Sequence, residues 1–341
     1  MNEADSRERV LAFLHQQRFI AEGEPVTMVQ LGGGVSSDLW RVHLPSGEDI
    51  CVKTALAQLK VRSQWFAPVS RNHIEYEWLT FAARVRPRQV PRVLAHDESA
   101  GLFAMEYLPP DEYPVWKTVL LAGWVDPTVA VAVGDLIGGV HAASAADPTC
   151  VRTFATDSNF DALRIAPYFR ATAIAHPDLS DRLADLAQTT ASVHLAVVHG
   201  DLSPKNILVG AGMPVLLDAE CAWFGDPAFD LAFCLNHLLL KSIKLPEHGV
   251  ALRAAGLAML EAHRKWVDWE PARELEIRVT ALLPALALAR IDGSSPVEYL
   301  DEPQRSLVRE ASRQLIPAPG ETVSHHWDLW TALTHARGVA A

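Results

Sequence analysis

The chain lacks the sequence features of a zinc-binding, secreted or membrane-spanning protein. Its four cysteines, at positions 51, 150, 221 and 234 of 341, form no C-x-x-C pair and have no histidine at a spacing suited to zinc. No uninterrupted apolar run approaches the roughly 18 residues of a spanning helix. The N-terminus contains acids where a signal peptide has an apolar core. We therefore expect free thiols in a reducing, cytoplasmic compartment and no membrane partner.

Positive charge is also scarce in this sequence. It has 30 Lys and Arg against 41 Asp and Glu, which gives a formal net charge of −11. Nucleic acid phosphates need basic patches, so a nucleic acid partner is not expected. A cationic ligand would fit the charge, although solubility alone accounts for most acidic proteins. The pattern G-x-x-x-x-G-K-[ST] is missing, which excludes a P-loop nucleotide enzyme.

Apolar periodicity divides the chain into a strand-rich part and a helix-rich part. The strand-like segments VTMVQL, DLWRVHL and DICVKTA precede a helix containing Ile74 and Trp78, and two more strands end at Pro109. Long helices follow, expected at 228–242, 249–267, 272–291 and 303–315, with one more at 325–338. We predict an α+β, bilobal arrangement with a small antiparallel-sheet lobe at 1–108 and a large helical lobe at 109–341.

The segment HGDLSPKNIL, residues 199–208, places polar side chains on a short turn between two apolar strands. Asp201 and Asn206 lie five residues apart in this turn, where Pro204 disfavours a helix. Twelve residues after Asn206 the strand PVLLD ends in Asp218, so the strands deliver three polar side chains to one edge. Carboxylate and amide oxygens are hard ligands that suit Mg²⁺. The sequence thus predicts a magnesium site at this edge.

A lysine inside an apolar strand is the second chemical signal. Lys53 in ICVKTA needs an anion, and the following helix offers Glu75, which we favour, or Glu77, which would face another side of that helix. Between the first two strands lies the turn LGGGVSSD, whose unhindered backbone N–H groups could lie over phosphates. Its candidate phosphate contacts are Gly32, Gly33, Gly34, Ser36 and Ser37.

The order of these features resembles the protein-kinase-like fold. HGDLSPKNIL with GDPAFDLA is similar to the aminoglycoside phosphotransferase and choline kinase superfamily, whose loop reads H-G-D-x-x-x-x-N. DAECAWFGDPAFD resembles the D-x-E segment of methylthioribose kinases and their relatives. The match touches most of the chain from about residue 28 to 240. The glycine-rich turn departs from G-x-G-x-x-G, so the resemblance does not assign individual amides to phosphates.

This resemblance implies a set of catalytic roles with ATP and Mg²⁺ as cofactors. Asp201 would accept the proton of a substrate hydroxyl as it attacks the γ-phosphorus. Asn206 and Asp218 would hold Mg²⁺ on the phosphates, and Lys53, oriented by Glu75, would hold the α- and β-phosphates. Positioning and charge neutralisation of this kind carry most of the catalysis of phosphoryl transfer.

The resemblance also implies roles around this centre. The hinge segment from Glu106 to Leu108 would offer backbone groups to adenine. Asp230 would brace the catalytic turn from the start of the next helix. Glu220, two residues beyond Asp218, is a candidate further acid near the metal.

Several of these residues have simpler alternatives. Asp201 could simply cap a turn without a catalytic role, and Lys53 could be a surface lysine of a strand. The glycine turn could be an ordinary hairpin. His199 is expected to fix the turn by hydrogen bonds rather than to act as a base, and Lys205 could equally be solvated or contact phosphate.

The acceptor side is less defined by the sequence. Arg290 and Asp292 are candidates for substrate contact because late helices build the acceptor site in this superfamily, with helix-end solvation as the competing interpretation. Trp65, Trp116 and Trp223 could line a pocket, but such aromatics more often pack in a core.

The sequence therefore predicts an ATP-dependent kinase that phosphorylates a hydroxyl of a sugar, amino sugar or amino alcohol. An amino-sugar acceptor would need an acidic cleft in the helical lobe, whereas a pentose or other metabolite would need only a few hydrogen-bonding groups. The alternatives are a non-catalytic nucleotide-binding regulator and, less favoured, a protein kinase, since little chain is left for an activation loop after GDPAFD. The sequence does not decide between ATP and GTP as the nucleotide. The oligomeric state, monomer or homodimer, also stays open.

Overall fold

The N-terminal part is an antiparallel sheet with one helix on each face. The computed structural model describes residues 3–32, 37–56, 70–210 and 212–335. The sheet has five strands in the order β1-β2-β3-β5-β4, and all neighbours run antiparallel. The elements are α1 (Glu3–Gln16), β1 (Thr27–Leu31), β2 (Ser37–His43), β3 (Asp49–Ala55), α2 (Arg71–Val85), β4 (Val93–Asp97) and β5 (Leu102–Glu106). The predicted strands, helix and α+β class are confirmed.

Strand β3 carries its side chains alternately toward the two helices. Ile50 and Val52 belong to the apolar cluster that contains α1, whereas Cys51 belongs to the cluster that contains α2. Because side chains on a strand alternate with a period of two, Lys53 shares the Cys51 face. This register brings the lysine to the helix that carries Glu75.

The remainder of the described chain is mostly helical, with two small two-stranded sheets. Strands β6 (Ala196–Val198) and β9 (Trp223–Gly225) pair antiparallel, as do β7 (Ile207–Gly210) and β8 (Met213–Leu216). The helices are α3 (Trp116–Leu121), α4 (Pro127–Ala145), α5 (Pro148–Thr153), α6 (Asp157–Phe160), a π-helical segment (Asp161–Arg170), α7 (Ala171–Ala175), α8 (Ser180–Ser192), α9 (Pro227–Lys244), α10 (Gly249–Arg264), α11 (Ala272–Asp292), α12 (Glu302–Leu315) and α13 (Val323–His335).

Helix α9 lies in the centre of this part and is buried along nearly its whole length. The side chain of Asp226 accepts a hydrogen bond from the backbone N–H of Ala228 at 3.0 Å, and Pro227 occupies the first helical position. Both are signals that start a helix. The five predicted late helices are all present, with ends that shift by up to three residues.

Helix α4 packs closely on α10. A Cβ atom at Gly134 would come within 2.1 Å of the carbonyl oxygen of Met259, so only glycine permits this approach. In the described part of the chain α4 is long and apolar enough to span a membrane by length and composition. Over half of that window is buried inside the protein, as expected of a core helix.

The main apolar core crosses the predicted boundary at residue 108. It includes Cys51, Trp78 and Phe103 on one side and the buried faces of α4 and α9 on the other. The ring of Trp78 also meets the ring of His199 edge-on, with centroids 4.8 Å apart. The sheet part is therefore packed directly on the segment that carries the catalytic motif, and the division at residue 108 stays a prediction.

Candidate active site

We call residues 199–206, between β6 and β7, the catalytic turn, after the role that the sequence predicts for it. This turn is held by the first turn of α9. The carboxylate of Asp230 accepts hydrogen bonds from the backbone N–H groups of His199 at 2.6 Å and Gly200 at 2.9 Å. Its Oδ2 also lies 3.2 Å from Nε2 of His141, whose other ring nitrogen lies 3.0 Å from His263. A fully buried carboxylate thus fixes the backbone immediately before Asp201.

Two residues inside the turn have conformational roles. Gly200 has a φ of 74°, and a Cβ atom there would lie 2.4 Å from the carbonyl oxygen of Cys221. His199 Nε2 lies 3.0 Å from the carbonyl oxygen of Leu217, while Nδ1 accepts from the N–H of Asp201 at 3.2 Å. This pattern requires the neutral ring that donates from Nε2, and burial lowers the pKa of His199. The geometry agrees with a hydrogen-bonding role for this histidine.

Asp201 is buried between two cations. Its Oδ2 lies 3.0 Å from Nη2 of Arg164 and 2.8 Å from Nζ of Lys205. Burial acts to raise the pKa of Asp201, but the charges of Arg164 and Lys205 outweigh it and lower the pKa. The carboxylate is therefore ionised and oriented, and the contacts to its partners leave Oδ1 for a further donor.

Lys53 joins the sheet to the catalytic edge through two carboxylates. Its Nζ lies 2.6 Å from Glu75 and 2.5 Å from Asp218. Glu77, the competitor, lies instead 3.9 Å from His73 on the same helix.

The charges of this group shift each other's pKa values. Burial acts to lower the pKa of Lys53, but Asp218 and Glu75 together raise it. Burial raises the pKa of Glu75 to about 7, against the opposing charge of the lysine. For Asp218, burial is outweighed by Lys53 and Lys205, which lower the pKa.

Asn206 and Asp218 have oxygen atoms suited to Mg²⁺. Asn206 donates through Nδ2 to the backbone oxygen of Asp201 at 3.0 Å, which leaves its Oδ1 as an oxygen ligand. Asp218 has a φ of 68°, a left-handed conformation that Asp tolerates better than most residues, and its side chain is 28% exposed. No three His, Cys, Asp or Glu side chains form a metal-binding group in the described residues. A magnesium ion would therefore rely on these two residues, phosphates and water, a donor set that it accepts.

Glu220 is bound within the protein. Its Oε2 accepts from Nε of Arg71 at 3.0 Å, and its backbone oxygen accepts from Asn159 at 2.8 Å. Arg71 also donates to the backbone oxygen of Leu56 at 2.5 Å. The carboxylate thus ties the start of α2 to the segment after Asp218, and its role as a further acid near the metal stays a prediction.

The predicted phosphate turn and hinge are only partly described. Gly33, Gly34 and Ser36 lie outside the described residues, while Gly32 follows β1 and Ser37 begins β2, with its hydroxyl buried.

The hinge residues follow the last strand of the sheet. Glu106 ends β5, where its carboxylate accepts from the N–H of Arg92 at 3.0 Å, and Leu108 is half-buried just beyond. A cavity of about 620 Å³ between α2 and β4 has Glu106 in its lining but none of the other predicted site residues. It is therefore separate from the catalytic turn.

On the acceptor side, Arg290 and Asp292 differ. Arg290 is buried and donates through Nη1 to Ser295 at 2.8 Å and to the hydroxyl of Tyr168 at 3.3 Å. Asp292 binds Arg309 through both carboxylate oxygens, at 2.7 and 2.9 Å, and also contacts His176 at 2.9 Å. A substrate contact by either residue stays a prediction.

Two of the three tryptophans proposed for a pocket pack in the core of the protein. Trp116 and Trp223 are each 1% exposed and belong to the main core, and Trp65 lies outside the described residues.

The catalytic turn, the strand lysine and the helix glutamate lie inside a region that matches a family model. That model, described as the phosphotransferase enzyme family, matches residues 27–275, well over half of the chain. The chain belongs to the phosphotransferase enzyme family. The predicted resemblance is confirmed at this level.

Curated relatives include methylthioribose kinases. The enzyme of Pectobacterium atrosepticum is 25% identical over 248 residues, which cover 65% of this chain and 62% of that enzyme. The enzyme of Pectobacterium carotovorum is 24% identical over 262 residues, which cover 68% of this chain and 65% of that enzyme. The match thus spans less than two thirds of the length of these relatives.

Solved structures support the fold. One neighbour is the amicoumacin kinase hAmiN in complex with AMP-PNP, Ca²⁺ and Ami, with a TM-score of 0.56, 14% identity, and coverage of 96% of this chain and 100% of that chain. Another is a choline/ethanolamine kinase family protein from Mesorhizobium loti, with a TM-score of 0.52, 14% identity, and coverage of 97% and 99%. At such identities the likeness establishes the shared fold alone.

One residue at the centre of the site was not predicted from the sequence. Arg164 lies in the π-helical segment, 37 residues before Asp201, and its Nε also donates to the backbone oxygen of Gly200. The available signal was an arginine among apolar residues in DALRIAPYFR, since a buried guanidinium needs an acidic partner.

Proposed function

We propose that this chain is an ATP-dependent small-molecule kinase that transfers the γ-phosphate of ATP to a hydroxyl group of its acceptor. The observation that carries this proposal is the buried, ionised Asp201, held through Oδ2 by Arg164 and Lys205. The second carboxylate oxygen is free to take the proton of an attacking hydroxyl, which a general base of this kind does. The methylthioribose kinases among the relatives support a sugar-like acceptor, and the amino sugar and amino alcohol classes stay open.

In this proposal the chain's own residues position the reactants. Lys53, braced by Glu75, holds the α- and β-phosphates, and Lys205 lies within reach of both Asp201 and Asp218, where charge develops on the transferred group. Asn206 and Asp218 would hold Mg²⁺, which would supply positive charge to balance the phosphates. ATP as the nucleotide is supported by the AMP-PNP bound to the structural neighbour hAmiN.

A cytoplasmic location belongs to the same proposal. All four cysteines are free and buried, which suits a reducing compartment without requiring it.

The test is release of ADP from Mg-ATP with a panel of aminoglycosides, pentoses, methylthioribose, choline and amino alcohols. With the responding acceptor, we expect Asp201→Asn to lower kcat by about 10²–10⁴-fold, because asparagine can accept from Arg164 and Lys205 but cannot take a proton. Binding of Mg-AMP-PNP should be retained.

The matched control is Asp185→Asn, which removes one exposed carboxylate and should leave kcat unchanged. Full turnover by Asp201→Asn would contradict the proposal. Mg-ATP binding without turnover of any acceptor would favour a nucleotide-binding regulator instead.

A further inference from the structure

One face of α9 leads away from the catalytic turn. Asp230, Phe233, His237 and Lys241 follow one another at spacings of three and four residues, which places them on one side of the helix. The guanidinium of Arg164, which binds Asp201, lies 5.5 Å from the ring centroid of Phe233. The ring of Phe233 lies 5.6 Å from that of His237. This helix face thus connects the proposed base to a group of cations.

These cations come from three separate parts of the fold. Lys241 is 0% exposed on α9, Arg290 is buried near the end of α11, and Lys117 comes from α3. The ammonium groups of Lys241 and Lys117 lie 5.2 and 5.9 Å from the ring centroid of Tyr299. We call Lys117, His237, Lys241, Arg290 and Tyr299 the acceptor-side cluster.

Three buried polar atoms of the cluster lack hydrogen-bond partners in the described part of the chain. They are Nζ of Lys241, Nε of Arg290 and the hydroxyl oxygen of Tyr299. Two of the three are obligatory donors, and the hydroxyl can donate as well. The set therefore calls for an acceptor of hydrogen bonds from outside the described residues.

Negative charge in the cluster does not balance the cations. Among the described residues the acid that contacts it is Glu298, whose carboxylate is bound by Lys117 and is largely exposed. Burial and the charges of Lys117 and Arg290 lower the pKa of Lys241 to about 7. Burial and the charges of Arg290 and Lys241 also lower the pKa of His237. Each positive charge in the cluster thus disfavours protonation of the neighbouring basic side chains.

We propose that the acceptor-side cluster binds an acidic group of the substrate, so that this kinase phosphorylates a hydroxyl of a small hydroxylated acid, either a carboxylate or a phosphate ester. This inference rests on the kinase function proposed above and narrows its acceptor. An anion next to Lys241 and Arg290 would supply the missing hydrogen-bond acceptor and the missing negative charge together. A cationic amino sugar would meet like charge on this side.

A purely structural role accounts poorly for the cluster. A buried lysine without a partner is costly, and an apolar side chain of similar length would fill the same space at a lower free energy. The location also matters, because the cluster continues the helix face that begins at the catalytic turn. Lys117 belongs to α3, which packs against the turn of Pro204–Asn206.

The first experiment compares acceptors that differ mainly in charge: gluconate, glucose 6-phosphate, the neutral polyol glucitol and the cation glucosamine. Binding is measured by calorimetry with Mg-AMP-PNP present, and turnover by release of ADP from Mg-ATP. We expect at least one of the two acids to bind about tenfold or more tightly than glucitol and glucosamine. Preference for gluconate or for glucose 6-phosphate distinguishes a carboxylate from a phosphate ester. Equal binding of all four, tighter binding of glucitol or glucosamine, or no binding of either acid at millimolar concentration would overturn the inference.

The second experiment removes the central cation. Lys241→Met keeps the shape of the side chain and should raise KM and Kd for the acid about 10–100-fold, the loss expected for a charge-assisted hydrogen bond. The KM for ATP should not change, and kcat should change little, since Lys241 does not touch the reacting atoms. The matched control is Lys244→Met, which removes a more exposed lysine from the same helix end. Unchanged acid binding in Lys241→Met would overturn the inference.

The two proposals fail in different ways. Turnover of neutral or cationic acceptors only would leave the kinase function in place and reject the acid. Tight, Lys241-dependent binding of an acid without any ATP turnover would support the acid site and reject the kinase function.

Discussion

Two groups of charged side chains lie near the catalytic turn, and they differ in how their charges are balanced. The first, which we call the nucleotide-side cluster, alternates acids and bases: Lys53, Glu75, Arg164, Asp201, Lys205 and Asp218. Its ion pairs span 2.5 to 3.0 Å, apart from a looser contact of 4.0 Å between Lys205 and Asp218. In the acceptor-side cluster Lys117 is paired with Glu298, whereas Lys241 and Arg290 have no carboxylate partner among the described residues. Balanced charges hold their own geometry, whereas unbalanced ones depend on a ligand.

The contrast is clearest for two lysines with similar burial. Lys53 is 4% exposed and Lys241 is 0% exposed, so both lose nearly all of their hydration. The pKa of Lys53 is nevertheless raised by two carboxylates, while burial and neighbouring cations lower the pKa of Lys241 to about 7. Partners rather than burial decide the charge of a buried lysine.

The largest loss of stability is expected from replacing Lys53, whose charge is balanced by two carboxylates. Lys53→Met leaves the buried Glu75 and the partly exposed Asp218 without their shared cation, and breaking a buried ion pair in this way costs about 3–5 kcal/mol. We therefore expect the free energy of unfolding, measured by denaturant titration, to fall by that amount, with loss of ATP binding. Lys244→Met serves as the control and should be nearly neutral. A stable Lys53→Met protein would show that the nucleotide-side cluster does not rely on its central cation.

The same substitution at Lys241, which has no carboxylate partner in the part of the chain that the structure describes, should increase the stability of the protein. In the ligand-free protein, Lys241→Met removes a group whose pKa falls from its ordinary 10.5 to about 7 on folding. Between these values the unfolded chain binds more protons, so wild-type stability rises with pH through this window. We expect Lys241→Met to be more stable than wild type by about 2–5 kcal/mol near pH 7, with the advantage disappearing toward pH 10.

Denaturant titrations at pH 7, 8.5 and 10 measure this difference. A variant that is less stable than wild type at pH 7 would mean that Lys241 has a partner within the chain. The comparison between the clusters would then no longer hold.

The sequence was informative where chemistry and local pattern coincide. Asp201, Asn206 and Asp218 could be predicted to lie at one edge because short apolar strands carry them there, and in the structure β7 and β8 pair antiparallel. Lys53 stood out because a lysine among apolar strand residues needs a partner, and α2 supplies Glu75 at 2.6 Å. In both cases the position of a residue along a strand determines the direction in which its side chain points.

The acceptor side could not be predicted because its residues come from distant elements. Of these residues only His237 and Lys241 share a helix, while Lys117 and Arg290 come from α3 and α11. The net charge of −11 also suggested a cationic ligand if any. Net charge describes the solvated surface, whereas the acceptor-side cluster is a local excess of positive charge inside the protein. Arg164 could not be predicted for a similar reason, since only tertiary packing brings the π-helical segment to Asp201.

The smallest change in stability is expected from a comparison of Glu75 and Glu77, between which the sequence could not fully decide as the partner of Lys53. Glu75→Gln keeps the shape of the side chain but leaves Asp218 as the carboxylate on Lys53, and it should cost about 1–3 kcal/mol of stability and weaken ATP binding. Glu77→Gln removes a half-exposed carboxylate 3.9 Å from His73 and should stay within about 0.5 kcal/mol of wild type. Because both residues lie on α2 and undergo the same substitution, the two variants compare the two positions, by denaturant titration and by the KM for ATP. If the two variants behaved alike, the charge balance of the nucleotide-side cluster would not depend on contact with Lys53.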